Sequence, residues 1–369
     1  QLNTEPVGSG PFRVIDSKRD ASGIINRYTL SAFRANDSQP KVDSLELTFY
    51  QNEDDLLTAL SKGEVDATAY VSNERISSFT DNGYELFSKP LPRTFGIFFN
   101  QNRSSALRDA AAREALTAAI DRRRLIDEVL YGYGVPITGP TTFASFELES
   151  TDDTNTASSI TPKEQAVTIL KDGGWELTEN GLWGKDIGGN AVELSLTLRT
   201  SNTPLFDDLV AFVTEQWKEI GIEVVVEQYE QTGLVQSVIR TRDFQALLFG
   251  LDMNRSQDLY PFWHSSQKDD PGLNIAQYTN LTVDNLLETA RVEQNDVNRQ
   301  SILSEASTII EAETPAIFLF EPTLTYLVKE NVTVSLADRL ARPSDRFTTI
   351  SQWHTESQSL WTMFRPDVN

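Results

Sequence analysis

Between Ala191 and Phe249 the sequence switches repeatedly between two periodicities, and this switching limits the fold more than any other feature. AVELSLTLRT (Ala191–Thr200) alternates apolar and polar residues as a half-buried strand does. Phe206–Ile220 carries its apolar residues at helical spacing and is stopped by Gly221. Ile222–Gln228 reads as a strand again, Thr232–Arg240 as a helix, and Phe244–Phe249 as an apolar strand. Strand, helix, strand, helix, strand with short links predicts an α/β domain.

The last of these strands delivers the most chemically varied loop in the chain. Leu247, Leu248 and Phe249 predict a buried strand that breaks at Gly250, followed by Asp258, Tyr260, Trp263, His264, Asn274 and Tyr278. Open α/β sheets place ligands outside the carboxyl ends of their strands. Aromatic residues beside an acidic group suit a small, partly apolar guest with a positive end. The alternative is a solvated loop whose aromatics pack back on the fold.

Flanking segments extend the α/β reading. Pro6–Phe12 is a Gly/Pro turn feeding a strand; Tyr28–Phe33 and Ser44–Phe49 predict two more. Asp54–Lys62 predicts a helix ended by Gly63, after which GEVDATAY restarts a strand; that succession suggests a βαβ unit with parallel sheet. Arg93–Phe99 predicts a strand, and Ala106–Leu130 one helix ended by Gly132 and Gly134. Residues 144–161 predict a surface loop. A capped helix then starts at Thr161 and Pro162 and ends at Gly173–Gly174. Val283–Glu293 and Asn298–Thr314 predict helices, Pro315 stopping the second, and Ala316–Phe320 a buried strand. A last strand is expected at Phe347–Ile350.

With 369 residues there is room for two domains. No apolar run approaches a membrane span, and the sequence reads as a soluble globular chain. A net charge of -22 argues against nucleic acid and anionic lipid as partners. Without cysteine there is no disulfide, thiol nucleophile or cysteine-bound metal. His264 and His354 are the only histidines and lie far apart in sequence. The turn glycines Gly8–Gly10 and Gly173–Gly174 lack the context of a nucleotide loop. Carboxylate pairs such as Asp54–Asp55, Asp152–Asp153 and Asp207–Asp208 lack calcium-loop spacing. No cofactor or metal is expected, and no signal peptide opens the sequence, so any targeting segment lies outside it.

Eight phrases in order carry a resemblance. They are PVGSGPF (Pro6–Phe12), Val42–Ala67, FFNQN (Phe98–Asn102), Arg108–Pro136, EQAVTILKDGGW (Glu164–Trp175), EQWKEIGIEVVVE (Glu215–Glu227), Phe262–Ala290 and ETPAIFLF (Glu313–Phe320). Together they resemble the family-five extracellular solute-binding proteins, the oligopeptide-, dipeptide- and nickel-type receptors of ABC importers. The resemblance implies an α/β, periplasmic-binding-protein-like (type II) bilobed clamshell with mixed sheets flanked by helices. Lobe one would comprise residues 1–99 plus 327–369, and lobe two would be the inserted block 100–326. Family members carry a further segment before the PVGSGPF turn, so the N-terminal part of lobe one is expected to be missing.

The implied function is capture of a short peptide or similar solute by a monomer outside the cytoplasm, tethered to the membrane through a segment not in this chain. Delivery is to an ABC permease. The family meets the peptide ammonium with an aspartate, here Asp258, with Asp252 as second candidate; Asp258 also reads as a helix cap. Asn274 and Tyr278 match cleft-lining positions, and Trp263 offers a flat wall. Arg240 or Arg242 would receive the carboxylate, Gly250 opens the loop, and Phe320 and Glu321 lie near the expected mouth. His264 reads as structural. Two other readings are a carboxylate-dependent hydrolase and a truncated surface module without a transport role.

Overall fold

The computed structural model describes residues 6–34, 39–140, 160–253 and 258–355. The expected 144–161 loop lies, up to residue 159, outside them. The chain forms two compact units, one of Gln1–Leu91 with Leu324–Asn369 and the other the continuous block Pro92–Thr323. The division falls outside the limits drawn from sequence: Arg93–Phe99 belongs to the block, and residues 324–326 belong to the discontinuous unit.

The discontinuous unit begins with an antiparallel meander of β1 (Phe12–Arg19), β2 (Ile25–Ala32) and β3 (Ser44–Thr48). Helix α1 (Glu53–Ser61) follows, its first turn fixed by the Asn52 side chain accepting from the Asp55 amide. Gly63, at φ 69, turns the chain beyond its end. Next come β4 (Ala67–Thr68), α2 (Ser77–Thr80) and β5 (Tyr84–Pro90). The parallel βαβ unit expected here does not form. β3 pairs antiparallel with β2, whereas β4 pairs antiparallel with a strand from far along the chain. Helix α1 therefore links two sheets, because the two-residue β4 takes its partner from non-local packing.

The block opens with β6 (Arg93–Phe99). The single helix expected over Ala106–Leu130 is a 3₁₀ turn followed by α3 (Ala110–Ala118) and α4 (Arg122–Val129). Asp109 and Asp121 cause the breaks: each carboxylate caps a new helix, accepting from the amides of Ala112 and Arg124 at 3.3 and 3.0 Å. β7 (Gly134–Pro136) precedes α5 (Pro162–Asp172), which carries the full capping box of Thr161 and Glu164. A small sheet follows, of β8 (Glu176–Leu177), β9 (Trp183–Ile187) and β10 (Asn190–Glu193). The expected strand Ala191–Thr200 is split at the buried Leu194, whose amide donates to the Trp183 carbonyl. Its second part, β11 (Ser195–Ser201), enters the main sheet.

Beyond it lie α6 (Pro204–Glu219), β12 (Glu223–Tyr229), the short α7 (Gln231–Gly233) continued by a π-helical turn, and β13 (Ala246–Asp252). Helices α8 (Tyr260–Trp263), α9 (Leu281–Val292) and α10 (Asp296–Glu313) lead to β14 (Ala316–Lys329). This long strand leaves the block and continues into the discontinuous unit, where β15 (Val332–Thr333) and β16 (His354–Thr355) complete the described elements. The strand expected at Phe347–Ile350 is part of a 3₁₀ run, Pro343–Gln352. Asp345 starts that run by accepting from the Ala341 and Arg342 amides, and the Arg346 guanidinium covers the Phe347 ring at 4.2 Å.

Within the block the strand order is β12-β11-β13-β6-β14. β11 runs parallel to β12 and β13, while β6 is antiparallel to both β13 and β14. Alternation along the central strands fills two cores. Ile97, Phe99, Leu248, Ile317 and Leu319 face α3 to α6; Phe98, Leu247, Ala316 and Phe318 face α8 to α10. That is why the sequence reads IFF and AIFLF with no polar interruption: both faces of these strands are covered.

β14 approaches β6 so closely at Gly96 that an added Cβ would lie 2.7 Å from the Ile317 carbonyl oxygen. Gly96→Ala is expected to cost about 1–3 kcal/mol by overpacking, readable as a lowered denaturation midpoint. Asp109 gives a second expectation. Burial opposes its charge, but hydrogen bonds from Lys185, the Trp175 indole and the Ala112 amide outweigh burial and hold the carboxyl below its ordinary 3.8. A depressed carboxylate pKa contributes stability in full above the unfolded value, and that stability disappears as pH falls through the folded one. Asp109→Asn should therefore lower the melting temperature at neutral pH, and the difference from the parent should shrink as pH falls below the ordinary 3.8.

Candidate functional site

The carboxyl ends of β11, β12 and β13 share one end of the block's sheet. In the register there, Gly250 faces Phe95, Leu251 faces Thr94 and Asp252 faces Arg93. The strand thus runs through Gly250 rather than breaking at it, and the loop begins only at Met253. Packing is tight at 250: a Cβ would sit 3.1 Å from the Phe95 ring. With that space open, Phe95 stacks on the buried Phe320 (centroids 4.8 Å, interplanar 6°) and tilts against Phe206 at 6.0 Å. Phe95 and Phe206 are half-buried, so this end of the sheet offers an apolar ring surface. Around it stand Arg93 and Asp252, paired at 3.6 Å, the buried Ser201 hydroxyl and the exposed Asn202. Glu321 is fully buried on β14 beside Phe320.

Other residues singled out in the sequence lie elsewhere. Tyr278 borders a hollow of about 440 Å³ at the opposite end of β6, together with Gln101, Asn102, Arg113, Gln277 and Glu313. Burial, reinforced by the Glu313 carboxylate, raises the Tyr278 pKa. Arg240 borders an adjoining hollow of about 260 Å³ with Arg103, Asp269 and Asp270; it is exposed, 3.5 Å from Asp270. Arg242 is buried with φ 55, and its guanidinium donates to the carbonyls of Ile239, Lys268 and Gly272. It holds a loop closed.

Between the two ends, Trp263 is 2% exposed in the core against Phe98, Tyr278 and Phe318. Asn274 is 0% exposed; its amide donates to the His264 and Tyr278 carbonyls while its oxygen accepts from the Tyr278 amide. His264 stacks on Tyr260 at 4.0 Å, and its Nδ1 accepts from the Ser266 amide, which puts the proton of the neutral ring on Nε2, 3.3 Å from Glu288.

Asp258 is the most telling case. One oxygen accepts from the Tyr260 amide, two residues on, at 3.1 Å; the other is 2.9 Å from both Nε and a terminal nitrogen of Arg291. The guanidinium of Arg291 lies 4.0 Å above the Tyr260 ring. The carboxylate thus combines a local turn bond with a charge pair, while the N-cap position of α8 is Leu259, without a side-chain cap. Gly250, Phe320 and Glu321 therefore gather at one end of the sheet and Tyr278 and Arg240 at the other, with Trp263 and Asn274 buried. Neither Phe95 nor Phe206 stands out in the sequence as a site residue, because RTFGIFF reads as a core strand and Phe206 as part of the apolar face of a helix. The Phe-Gly pair, with a second glycine at 250, was the available signal.

Mixed sheets with helices on both faces of the block, entered and left by two chain crossings, define an α/β fold of the type II periplasmic-binding-protein class. Residues 1–272 match the family of bacterial extracellular solute-binding proteins, family 5 (middle), and the chain belongs to that family. Its members are solute-binding proteins rather than enzymes, found outside the cytoplasm. The oligopeptide-binding protein AppA of Bacillus subtilis is 26% identical over 340 residues, covering 89% of this chain and 59% of that protein. The structure of B. subtilis AppA in complex with a nonapeptide superposes with a TM-score of 0.65 at 24% identity, covering 95% of this chain and 67% of that one. A nickel ABC transporter structure from Bacillus halodurans gives 0.74 at 20% identity, covering 95% and 70%. This chain thus spans less than two thirds of its oligopeptide-binding relative. Among the described residues no helix is long and apolar enough to cross a membrane.

Trp263→Ala should cost about 3–5 kcal/mol of stability, the cost of a large core truncation. A wall facing only ligand would instead lose binding at unchanged melting temperature, so denaturation and binding measured on the same variant separate the two roles.

Proposed function

We propose that this chain forms the solute-gripping part of an ABC importer's binding protein. It captures a short peptide and presents it to a membrane permease from outside the cytoplasm, tethered through a segment not in this sequence. Family membership over residues 1–272 carries the reading, and the likeness to an oligopeptide-binding protein favours a peptide among the family's solutes. The rim at the carboxyl ends of β11 to β13 supports it physically. Half-buried Phe95 and Phe206 accept apolar side chains, while Asp252, Arg93 and Asn202 offer polar partners for main-chain groups that are costly to bury unmatched.

Asp258 is proposed as the partner of the peptide ammonium, with Arg291 as its resident counterion. Its side chain is 25% exposed and that of Arg291 47%. A pair this accessible contributes no more than about 1 kcal/mol, so an incoming ammonium exchanges for the guanidinium with little net loss. Ligand contacts made only in the closed state then shift the protein toward closure.

A thermal-shift series with di- to pentapeptides tests the assignment. Stabilisation without turnover is expected; product formation, or no shift with any peptide, removes the peptide-receptor reading. Asp258→Ala should weaken peptides with free amino termini about tenfold or more, the loss of a charged hydrogen bond, while N-acetylated peptides change little. Equal weakening of both would end the role given to Asp258.

A further inference from the structure

The hollow of about 440 Å³ at the far end of β6 lies between two helix ends of opposite polarity. Ala110, the first residue of α3, borders it on one side; Ala312 and Glu313, the last of α10, border it on the other. A helix carries partial positive charge at its amino end and partial negative charge at its carboxyl end. Side chains strengthen both poles. Arg113, on α3, is 7% exposed and its guanidinium is met by four backbone carbonyls, while Glu114, Asp109 and Glu313 act on it by charge alone. At the negative pole the Glu313 carboxylate accepts from the Asn280 side chain and stands beside the Tyr278 hydroxyl.

Two further observations point to a ligand. The Tyr278 hydroxyl is buried and makes no hydrogen bond of good geometry among the described residues, whereas buried hydroxyls ordinarily have one. The backbone around the hollow is also strained. Of four non-glycine residues with positive φ among the described residues, Gln277 borders it at φ 57, and Thr314 follows Glu313 at φ 50. Arg242, at φ 55, borders the adjoining hollow. Such conformations are costly and cluster at ligand clamps, and the volume lies in the range of small-molecule sites.

We propose that this hollow binds a small zwitterionic solute of the amino-acid class, its carboxylate toward the first turn of α3 and Arg113 and its ammonium toward Glu313 and Tyr278. Both charges are needed. A simple cation would leave the positive pole unmatched, and a simple anion would be set against the Glu313 carboxylate; either is costly in a site that excludes water. The site is distinct from the rim at the carboxyl ends of β11 to β13, because the two stand at opposite ends of β6.

Calorimetric titration of the whole chain with alanine, alaninamide and N-acetylalanine tests the assignment. Alanine should bind about tenfold or more tightly than the other two, each of which lacks one charged bond. Glu313→Gln should weaken alanine by a similar factor without weakening N-acetylalanine. Tyr278→Phe should weaken alanine at an unlowered melting temperature, since the deleted hydroxyl has no internal bond to lose. Alanine should also slow amide exchange at residues 110–113 and 276–280. No binding of alanine, equal binding of all three probes, or alanine affinity untouched by Glu313→Gln would each overturn the proposal. Protection confined to residues 93–95 and 202 would overturn it too, by assigning the amino acid to the peptide rim.

Discussion

Burial of both faces of β6, β13 and β14 is the constraint from which the rest of the block follows. Strands covered on one side only would alternate in polarity; these do not, and each successive side chain must find a separate core. Ile97 and Phe98 point to opposite layers, as do Ile317 and Phe318. Two helical layers are thereby fixed in place, α3 to α6 on one side and α8 to α10 on the other. The close passage of β14 over Gly96 sets the spacing at the centre of the sheet. Only the strand ends are left for chemistry.

That economy explains the fate of the polar residues. Arg113, buried beneath the end of α10, donates to the carbonyls of Leu107, Arg108, Glu313 and Thr314, and so ties the start of α3 to the turn before β14. Asn274 and Arg242 fasten the long connection between α8 and α9 in the same manner. A buried polar group left unmatched is costly, so the carbonyls inside this loop are met by the Asn274 amide from within it and by the Arg242 guanidinium from ahead of β13. Asp258 differs because its bond to Arg291 is accessible to solvent. The distinction between a buried fastener and an accessible ion pair is thus one of exposure, which residue type alone does not reveal.

Local signals in the sequence were legible where they were sufficient. Thr161 with Pro162 and Glu164 gives the start of α5, and the turn glycines Gly63 and Gly221 mark where α1 and α6 end. Where distant partners decide, local pattern is not enough. The Ala106–Leu130 periodicity hid two breaks, because an aspartate can either face solvent or cap a new helix. Ala191–Thr200 alternates without interruption, yet Leu194 is drawn into the core and the two parts pair in different sheets. GEVDATAY does hold a strand, but its partner is in β14 and not in β3. Loop aromatics misled in the opposite direction: Trp263 is a core residue, and the half-exposed rings are Phe95 and Phe206, which the sequence presents as core.

By itself, then, the sequence determined the α/β class, the family, and the order of most strands and helices, because periodicity and capping act over a few residues. Tertiary structure alone decided which strands are neighbours and where the chain divides into two units. It also decided which acidic and aromatic residues remain accessible. Those outcomes depend on contacts between residues hundreds of positions apart, such as Phe95 with Phe320 or Arg113 with Thr314. No local pattern encodes which of many chemically suitable partners will be brought within reach.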